Sequence, residues 1–283
     1  MNSILIEEKL KSFFLEDIGE DDLSSRVFPS DHQSTATVKA KESGIAAGLF
    51  IFEIGYRLLD PRVQVTLKLS EGQPFLTGDT LLEIKGPTRS VLTGERVLLN
   101  LVQRMCSIAT YTQACVKLID GTKAQLVDTR KTTAGLRMFE KYAVRVGGGF
   151  NHRNGLYDAV MLKDNHIAAC GSITSAVAEA RLAVGPLVKI EVEVETEAQL
   201  REAISASPDV IMIDNQSPTT IRAWRELVPS SILLEASGGI TEETLAAYAA
   251  SGVDFISMGA LTHSVKQLDL SLNVTSSRKE SLV

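Results

Sequence analysis

The sequence predicts an α/β protein with two domains, in which an N-terminal α+β domain precedes an open or incomplete barrel of about six parallel strands. Three observations lead to this prediction. The chain has 283 residues, more than one hydrophobic core usually organises. After residue 120, short apolar runs alternate regularly with helical patterns, whereas the first third of the chain lacks that alternation. The composition, with 44% hydrophobic and 23% charged residues, is that of an ordinary globular protein.

The N-terminal domain is predicted to span residues 1–110. Periodicity predicts a helix over Leu5–Leu15, strands over Thr35–Lys41 and Val63–Leu69, and a hairpin over residues 71–86. Apolar residues at helical spacing then predict a helix over residues 91–110, with Thr93 as its N-cap. Arg96 lies on the polar face of this helix.

The barrel is predicted to span residues 111–266. Six runs, each followed by a helix-like segment, are predicted as its strands: Gln125–Asp128, Ala159–Lys163, Val188–Val194, Val210–Asp214, Ile232–Ala236 and Asp254–Ser257. Such alternation implies parallel strands with right-handed crossovers. A full barrel has eight units in roughly 250 residues, so six units predict an open one. A last strand over residues 267–274 is expected to return to the first domain, and residues 275–283 are expected to form a flexible tail.

The charge is distributed unevenly. A formal net charge of −6 argues against general binding to nucleic acid or anionic membranes. Residues 130–163 nevertheless contain seven Lys and Arg residues against two acids, Glu140 and Asp158. Such a basic island in an acidic protein indicates a small anionic ligand held in a cleft, where walls of low dielectric constant strengthen the field.

The chain shows no targeting or disulfide pattern. Glu7 and Glu8 lie where a signal peptide needs positive charge, and no later stretch reaches membrane-spanning length, so a cytoplasmic protein is expected. Cys106, Cys115 and Cys170 lack close metal-ligand spacing and are expected to be buried free thiols.

Polar residues follow every predicted barrel strand. They are Asp128–Lys131, Lys163–His166, Glu191 and Glu193, Asp214–Gln216, Glu235–Gly239, and Ser257–Gly259. The carboxyl ends of barrel strands converge on one mouth, where barrel enzymes keep their chemistry. Six such ends in register therefore indicate an active site.

Two glycine segments follow the last two of these strands. They are Ser237, Gly238 and Gly239, and Ser257, Met258 and Gly259. Backbone N–H groups and the helix dipole at such places can hold a phosphate, although a glycine after a strand is most often only a turn. The pair in adjacent units favours phosphate binding.

Acidic and basic residues at the strand ends predict two further ligands. Glu193 and Asp214 suit Mg²⁺ or ribose hydroxyl groups, unless either acid pairs with Lys163 or Lys131. The cations form a second group, consisting of Arg130, Lys131, His152, Arg153 and Lys163. Because arginine binds carboxylates through two parallel hydrogen bonds, this group suits a ligand with more than one carboxylate.

Several segments together resemble the quinolinate phosphoribosyltransferase family, also called nicotinate-nucleotide pyrophosphorylase (carboxylating). They are DTRKTTAGLRMFEKYAVRVGGGFNHRNGLYDAVMLKDNH (128–166), GERVLLNLVQRMCSIAT (94–110), VEVE (192–195), MIDN (212–215), EASGGI (235–240) and DFISMGALTHS (254–264). The resemblance runs from about Asp17 to Leu272. It implies an N-terminal α/β sandwich, an open α/β barrel, and a homodimer whose subunits complete each other's sites. It also implies the Mg²⁺-dependent reaction of quinolinate with 5-phosphoribosyl 1-diphosphate, giving nicotinate mononucleotide, diphosphate and CO2 in NAD biosynthesis.

The resemblance also implies a role for each matching residue. Quinolinate would be bound by Arg130, His152 and Arg153, with Arg96 from the neighbouring subunit and Lys131 and Lys163 between the two substrates. Glu193 and Asp214 would bind ribose hydroxyls and Mg²⁺, and the two glycine segments would bind phosphate. Ala134 replaces a proline common in the family, which should loosen its loop.

Three alternatives remain open at this point. Lys163 at a strand end would also suit a Schiff-base aldolase. The basic island would suit a non-catalytic anion-binding protein. A molybdenum-transport-associated paralogue has the same fold, but Asn151–Arg153 and Lys163–His166 together favour the quinolinate enzyme.

Overall fold

A computed structural model describes residues 1–276 and divides the chain into two compact units, one of residues 1–110 with the stretch from Lys266 onward, the other Tyr111–Val265. The helices are α1 (Ser3–Ile18), α2 (Phe50–Leu59), α3 (Thr88–Leu118), α4 (Arg137–Val146), α5 (Asp164–Cys170), α6 (Ile173–Ala183), α7 (Glu197–Ala206), α8 (Pro218–Arg225), α9 (Glu242–Ala249) and α10 (Ala260–His263). The strands are β1 (Gln33–Ala40), β2 (Gly44–Ile45), β3 (Gln64–Leu67), β4 (Pro74–Phe75), β5 (Thr80–Pro87), β6 (Gln125–Val127), β7 (Val160–Leu162), β8 (Ile190–Val194), β9 (Val210–Asp214), β10 (Leu233–Ser237), β11 (Phe255–Ser257) and β12 (Leu270–Ser276). None of the helices within residues 1–276 has both the length and the apolar character needed to cross a bilayer.

The first unit is built on a four-stranded sheet in the order β12-β1-β5-β3. Both β12 and β5 run antiparallel to β1, and β3 runs antiparallel to β5. Burial alternates along β1, where Ala36, Val38 and Ala40 face the core, as the period of two requires.

The hairpin predicted over residues 71–86 is wrong. Its two strands exist as β4 and β5, but β4 pairs with β2, whereas β5 lies between β1 and β3. A period-two pattern identifies a strand without identifying its partner. The ladder with β1 extends from Gln33↔Pro87 to Lys39↔Thr80, which is much longer than any ladder the two-residue β4 can form.

Helix α3 begins five residues before the predicted N-cap, so the prediction for Thr93 is wrong. Thr88 starts the helix directly after β5, where its backbone N–H donates to His32 O (2.8 Å) and its hydroxyl lies 2.7 Å from His32 Nδ1. Thr93 Oγ1 instead donates to Asp22 Oδ2 (2.8 Å). A partner 56 residues away in sequence thus takes over the capping role, which local spacing does not reveal.

The second unit contains a six-stranded parallel sheet in the order β6-β11-β10-β9-β8-β7. Each strand from β7 to β11 pairs with the next one along the chain, and β11 pairs with β6. Within the described residues β6 and β7 form no ladder, so the ring of strands is open at this one place, the seam. The prediction of an open barrel is confirmed. At this seam, Phe150 forms a single parallel bridge to Val127 of β6.

The strand register brings the polar strand ends onto one face. Glu193 pairs with Met212, which pairs with Glu235, while Asp214 pairs with Ser237. Paired residues in adjacent strands point to the same side of a sheet, and residues two apart in one strand do so as well.

Two smaller expectations have mixed outcomes. Cys106 and Cys115 are buried free thiols as predicted, but Cys170 is exposed. It ends α5, a short helix without buried residues, so small and apolar neighbours in the sequence did not mean burial. Of the predicted tail, residues 275 and 276 belong to β12, and residues 277–283 lie outside the described residues.

Candidate active site

A cavity of about 270 Å³ lies at the carboxyl ends of the barrel strands. The predicted residues that line it are Arg130, Lys131, His152, Arg153, Lys163, Glu193, Asp214, Ser237 and Ser257. Its other lining residues are Asp128, Thr129, Met161, Met212 and Glu235. The fold therefore gathers the predicted cations and the predicted carboxylates into one cavity.

A second cavity of about 510 Å³ contains the glycine segments. Both cavities are lined by Thr129, Lys131, Ser237 and Ser257, so they adjoin each other. The other predicted residues in the second cavity are Gly238, Gly239, Met258 and Gly259. The arrangement places a compartment lined by four Lys and Arg side chains and four carboxylates beside a glycine-lined one.

Gly238 occupies a position that no other residue fits. Its φ is +93°, and a Cβ atom there would lie 2.2 Å from Asn215 Oδ1 and 2.6 Å from Asn215 N. Gly239 also has positive φ (+61°) but has open space where a Cβ would be. Within the described residues, neither glycine N–H donates to a backbone acceptor outside the strands. Such N–H groups suit an anion, although Glu242 and Glu243 in the first turn of α9 oppose it.

The two predicted metal or ribose ligands already have partners in the protein. Glu193 forms an ion pair with Lys163, as the alternative interpretation of the sequence allowed. Asp214 Oδ2 accepts from Asn215 Nδ2 (2.6 Å). Lys163 is 43% exposed and Glu193 is 14% exposed, so the pair is partly buried and a charged ligand in the cavity can contact both partners.

Arg153 is a cation without a full set of acceptors. Its guanidinium makes two long contacts, to Ala159 O (3.4 Å) and Met161 Sδ (3.5 Å). Burial, together with the positive charge of Arg130, lowers the pKa of Arg153. A guanidinium has five N–H donors, so these two arginines in one cavity suit an anion that accepts several hydrogen bonds.

Both ring nitrogens of His152 contact protein groups. Nε2 lies 3.0 Å from Glu191 Oε2 and 3.4 Å from Glu235 Oε2, while Nδ1 accepts the N–H of Arg153 at 2.8 Å. Burial lowers the pKa of His152, but hydrogen bonds to Glu191 and Glu235 outweigh it and raise the pKa to about 10. That value favours a doubly protonated ring, whereas the Arg153 N–H favours a neutral one. In both forms Nε2 carries a proton and faces the carboxylates of Glu191 and Glu235.

His152, Glu191 and Glu235 also form a cluster compact enough to be considered as metal ligands. The hydrogen bond from Arg153 argues against metal binding, because an Nδ1 that accepts a proton leaves the ring's own proton on Nε2, the atom that would bind the metal. Burial and the charge of Glu235 raise the pKa of Glu191 to about 7. His152 therefore joins the two carboxylates through Nε2, while Glu191 Oε1 and Glu235 Oε1 are buried without a hydrogen-bond partner among the described residues.

A buried ion pair joins Asp128, which lines the cavity, to Lys141, which does not. Their side chains are 0% and 3% exposed. Asp128 also accepts from Asn151 Nδ2 (2.6 Å) and from the N–H of His152 (2.9 Å). Burial raises the pKa of Asp128 and lowers that of Lys141, and each charge partly offsets the shift of the other. Asp128 was predicted among the polar strand ends, whereas the sequence gave Lys141 no role in the site.

Arg96 belongs to the first unit and is exposed there. It lines a cleft of about 250 Å³ whose other residues include Asp17, Asp21, Asp22 and Thr93. The predicted contact of Arg96 with quinolinate therefore stays a prediction.

Comparison with known families decides the assignment. Residues 21–106 match the N-terminal domain, and residues 108–273 the C-terminal domain, of quinolinate phosphoribosyl transferase. The chain belongs to this family. The family resemblance predicted from the sequence is thereby confirmed.

Relatives of this quinolinate phosphoribosyltransferase family member support the assignment. The chain is 52% identical over 279 residues to the probable nicotinate-nucleotide pyrophosphorylase (carboxylating) of Bacillus subtilis, covering 99% of this chain and 96% of the relative. It is 42% identical to the enzyme of that name from Mycobacterium leprae, covering 90% and 92%. The crystal structure of NadC from Streptococcus pyogenes superposes with a TM-score of 0.93 at 42% identity, covering 97% of this chain and 98% of that one.

Proposed function

We propose that the protein transfers the phosphoribosyl group of 5-phosphoribosyl 1-diphosphate to quinolinate, with loss of diphosphate and CO2, in the two adjoining cavities. The observation that carries this proposal is the cavity that gathers Arg130, Arg153 and Lys163 and shares Lys131 with a glycine-lined cavity. Membership of the family and the names of the curated relatives give the same reaction.

Quinolinate carries two carboxylates, and the 270 Å³ cavity offers cations for both. We assign Arg130, Arg153 and Lys163 to these carboxylates, with His152 beside them. Nicotinate lacks one carboxylate and would leave a cation unpaired in the cavity. Sites built to pair a polar group reject ligands that lack it by large factors, so the cluster also explains selectivity.

The phosphoribosyl group is assigned to the other side. Gly238, Gly239 and Gly259, with Ser237, Ser257 and Met258 beside them, would hold the phosphate through backbone N–H groups. Glu193 and Asp214 would accept hydrogen bonds from the ribose hydroxyls. Because Lys131 lines both cavities, we assign its ammonium group to the place where the two substrates would meet.

Mg²⁺ fits the residues present. Glu193 and Asp214 both line the cavity and offer the oxygen ligands that this cation prefers, alone or through water and substrate. When bound, Mg²⁺ would neutralise charge on the departing diphosphate. The carboxylates of Glu193 and Asp214 are placed to stabilise the positive charge that develops on the ribose carbon as diphosphate leaves.

The remaining steps require positioning rather than a protein nucleophile. The pyridine nitrogen of quinolinate forms the new bond to the ribose carbon, and the cations fix its direction of approach. Such positioning can contribute about 7–11 kcal/mol to lowering a barrier. Once the nitrogen carries positive charge, the ring accepts the electron pair of the breaking C–CO2 bond, and a proton then replaces the carboxylate. Lys163 needs no Schiff base in this scheme.

The direct test mixes purified protein with quinolinate, 5-phosphoribosyl 1-diphosphate and Mg²⁺ and measures CO2 and nicotinate mononucleotide. Nicotinate in place of quinolinate serves as the control and is expected to react poorly. Absence of both products with quinolinate would overturn the proposal. Products that form only with another aromatic acid would reassign the substrate.

We also propose a homodimer, located in the cytoplasm, in which Arg96 of one subunit completes the cavity of the other. Support comes from the exposure of Arg96 and from the family to which the chain belongs. Arg96→Ala and Arg153→Ala proteins are each expected to be nearly inactive. Equal mixing with subunit exchange should restore about one quarter of wild-type activity, since half the dimers would carry one intact site. A mixture as inactive as its components would contradict a contribution in trans.

A further inference from the structure

Helix α4 carries three basic residues at intervals of one helical turn, Arg137, Lys141 and Arg145. All three belong to the basic island, yet none of them lines the 270 Å³ cavity. Side chains four residues apart lie on the same face of a helix. Two of them, Arg137 and Lys141, contact the backbone of the two segments that carry Arg130 and Arg153.

Arg137 connects those two segments. Its Nε donates to Thr132 Oγ1 (3.0 Å), one terminal nitrogen donates to Arg130 O (3.4 Å), and the other donates to Asn154 O (3.3 Å). The first two contacts lie in the loop after β6, and the third lies directly after Arg153. A single guanidinium thus ties together the backbone beside Arg130 and the backbone beside Arg153.

Lys141 acts one turn further along. Besides its ion pair with Asp128, its ammonium group donates to His152 O (3.1 Å). Asp128 in turn accepts from the N–H of His152 and from Asn151. The peptide groups on both sides of His152 are therefore fixed by one buried ion pair.

The position of these segments in the fold explains why they need such contacts. They lie at the seam of the barrel, where β6 forms, within residues 1–276, one ladder with β11 and a single bridge to Phe150. Arg130 and Arg153 also repel each other, since the charge of Arg130 lowers the pKa of Arg153. Without a ligand anion, two loops carrying like charges and lacking a strand ladder would move apart unless other groups hold them.

We propose that Arg137 and Lys141 are positioning residues that hold Arg130 and Arg153 at the spacing a small diacid requires, without touching the substrate themselves. This inference rests on the proposed function for the identity of the diacid. The contacts with the two loops are independent of it.

The sequence offers a matched pair of variants that separates positioning from long-range charge. Arg137→Lys keeps the charge but loses the planar group that reaches three acceptors. Arg145→Ala removes a charge from the same helix face. Among the residues that the structure describes, Arg145 contacts Gly149 O (3.2 Å) and the ring of Phe150, neither of which lines the cavity. We expect Arg137→Lys to raise the KM for quinolinate about tenfold or more, since small misplacements of binding groups are costly. Arg145→Ala should stay within about twofold of wild type.

Two other outcomes for Arg137→Lys and Arg145→Ala would contradict the inference. If the attraction of the basic island acts only through its field, Arg145→Ala will lose affinity and Arg137→Lys will not. If Arg137 serves stability alone, Arg137→Lys will unfold at lower temperature while the folded fraction keeps the wild-type KM. Either result would overturn the positioning role. The melting temperature of each variant is therefore measured with its kinetics.

A second measurement needs no substrate. Hydrogen exchange of the backbone amides in residues 129–134 and 151–155 should be several-fold faster in Arg137→Lys than in wild type, with no change in Arg145→Ala. Lys141→Arg extends the test to the ion pair, and if that variant fails to fold, Arg137→Lys still decides. Equal exchange in wild type and Arg137→Lys would refute the inference. A wild-type protein that makes no product would refute the proposed function while leaving the exchange result meaningful.

Discussion

The two units of this chain bury charge in different ways. Within the described residues, the first unit buries a single charged side chain, Asp60. The second unit buries five, namely Asp128, Glu140, Lys141, Glu191 and Glu235. Burying a charge is costly unless it is paired and hydrogen-bonded, so the second unit gives up stability that the first unit retains.

The pKa values of the buried acids differ in direction between the units. In the first unit, hydrogen bonds from Arg62 and from Ser90 outweigh burial and lower the pKa of Asp60. In the second unit, burial dominates and raises the pKa of both Asp128 and Glu191. Acids perturbed in this direction, around a cavity lined with cations, are typical of functional sites. The buried acids of the barrel unit therefore indicate a ligand site, whereas the buried acid of the first unit is held by Arg62 and Ser90.

The largest expected effect comes from removing a cation of the barrel unit. Arg153→Ala should lower kcat/KM for quinolinate about 100-fold or more, because a carboxylate of the substrate would lose its partner in a partly dehydrated cavity. Steady-state kinetics at saturating 5-phosphoribosyl 1-diphosphate checks this. Near wild-type kinetics would show that the cations of the cavity do not bind substrate.

A second effect concerns the glycine-lined cavity. Gly238→Ala places a methyl group 2.2 Å from Asn215 Oδ1 at positive φ, so we expect a marked rise in the KM for 5-phosphoribosyl 1-diphosphate. Gly171→Ala is the matched control, because Gly171 also has positive φ (+86°) with no atom within 4 Å of a Cβ and lines neither cavity. Equal kinetics for the two variants would contradict the assignment of phosphate to this cavity.

A third effect is the pH dependence of stability. The pKa of His152 rises from 6.5 to about 10 on folding, so its contribution is fully present below pH 6.5 and is lost as the pH rises towards 10. The free energy of unfolding should therefore fall more steeply over this range in wild type than in His152→Gln. Denaturant titrations at several pH values measure both slopes. Parallel slopes would favour the neutral ring indicated by the N–H of Arg153.

The smallest expected effect belongs to the first unit. Ile84 is fully buried in β5, so Ile84→Val should lower the free energy of unfolding by about 0.5–1.5 kcal/mol. The KM for quinolinate should not change. A changed KM would show that the core of the first unit and the ligand site are coupled more strongly than the comparison implies.

Much of the barrel was predictable from the sequence, because its strands are apolar runs of regular spacing that end in polar residues. The strand predicted over Val210–Asp214 has the same bounds in the structure, and the other five barrel strands are found within a few residues of their predicted positions. The open barrel followed from counting six units. Convergence of the strand ends then brought nine of the predicted residues into one cavity.

The errors share a physical cause, which is that partners distant in sequence leave no local pattern. The pairing of β5 with β1 and the contact of Thr88 with His32 are of this kind. The buried pair of Asp128 and Lys141 is another, since Lys141 was counted only as one charge of the basic island. Glu191 and Glu235 were among the predicted polar strand ends, but their contacts with His152 join residues far apart in the sequence and left no local pattern.

The seam of the barrel has a consequence for how the protein is made. Within the described part of the chain, β6 forms its one ladder with β11, beginning at Gln125↔Phe255, so this ladder cannot form until about 130 further residues have been made. Closing so long a loop is slow, and a ribosome delivers those residues over several seconds. In a nascent chain that has not reached β11, the segments that carry Arg130 and Arg153 follow a strand that is still unpaired, so we expect the cavity to form only after β11 has been made.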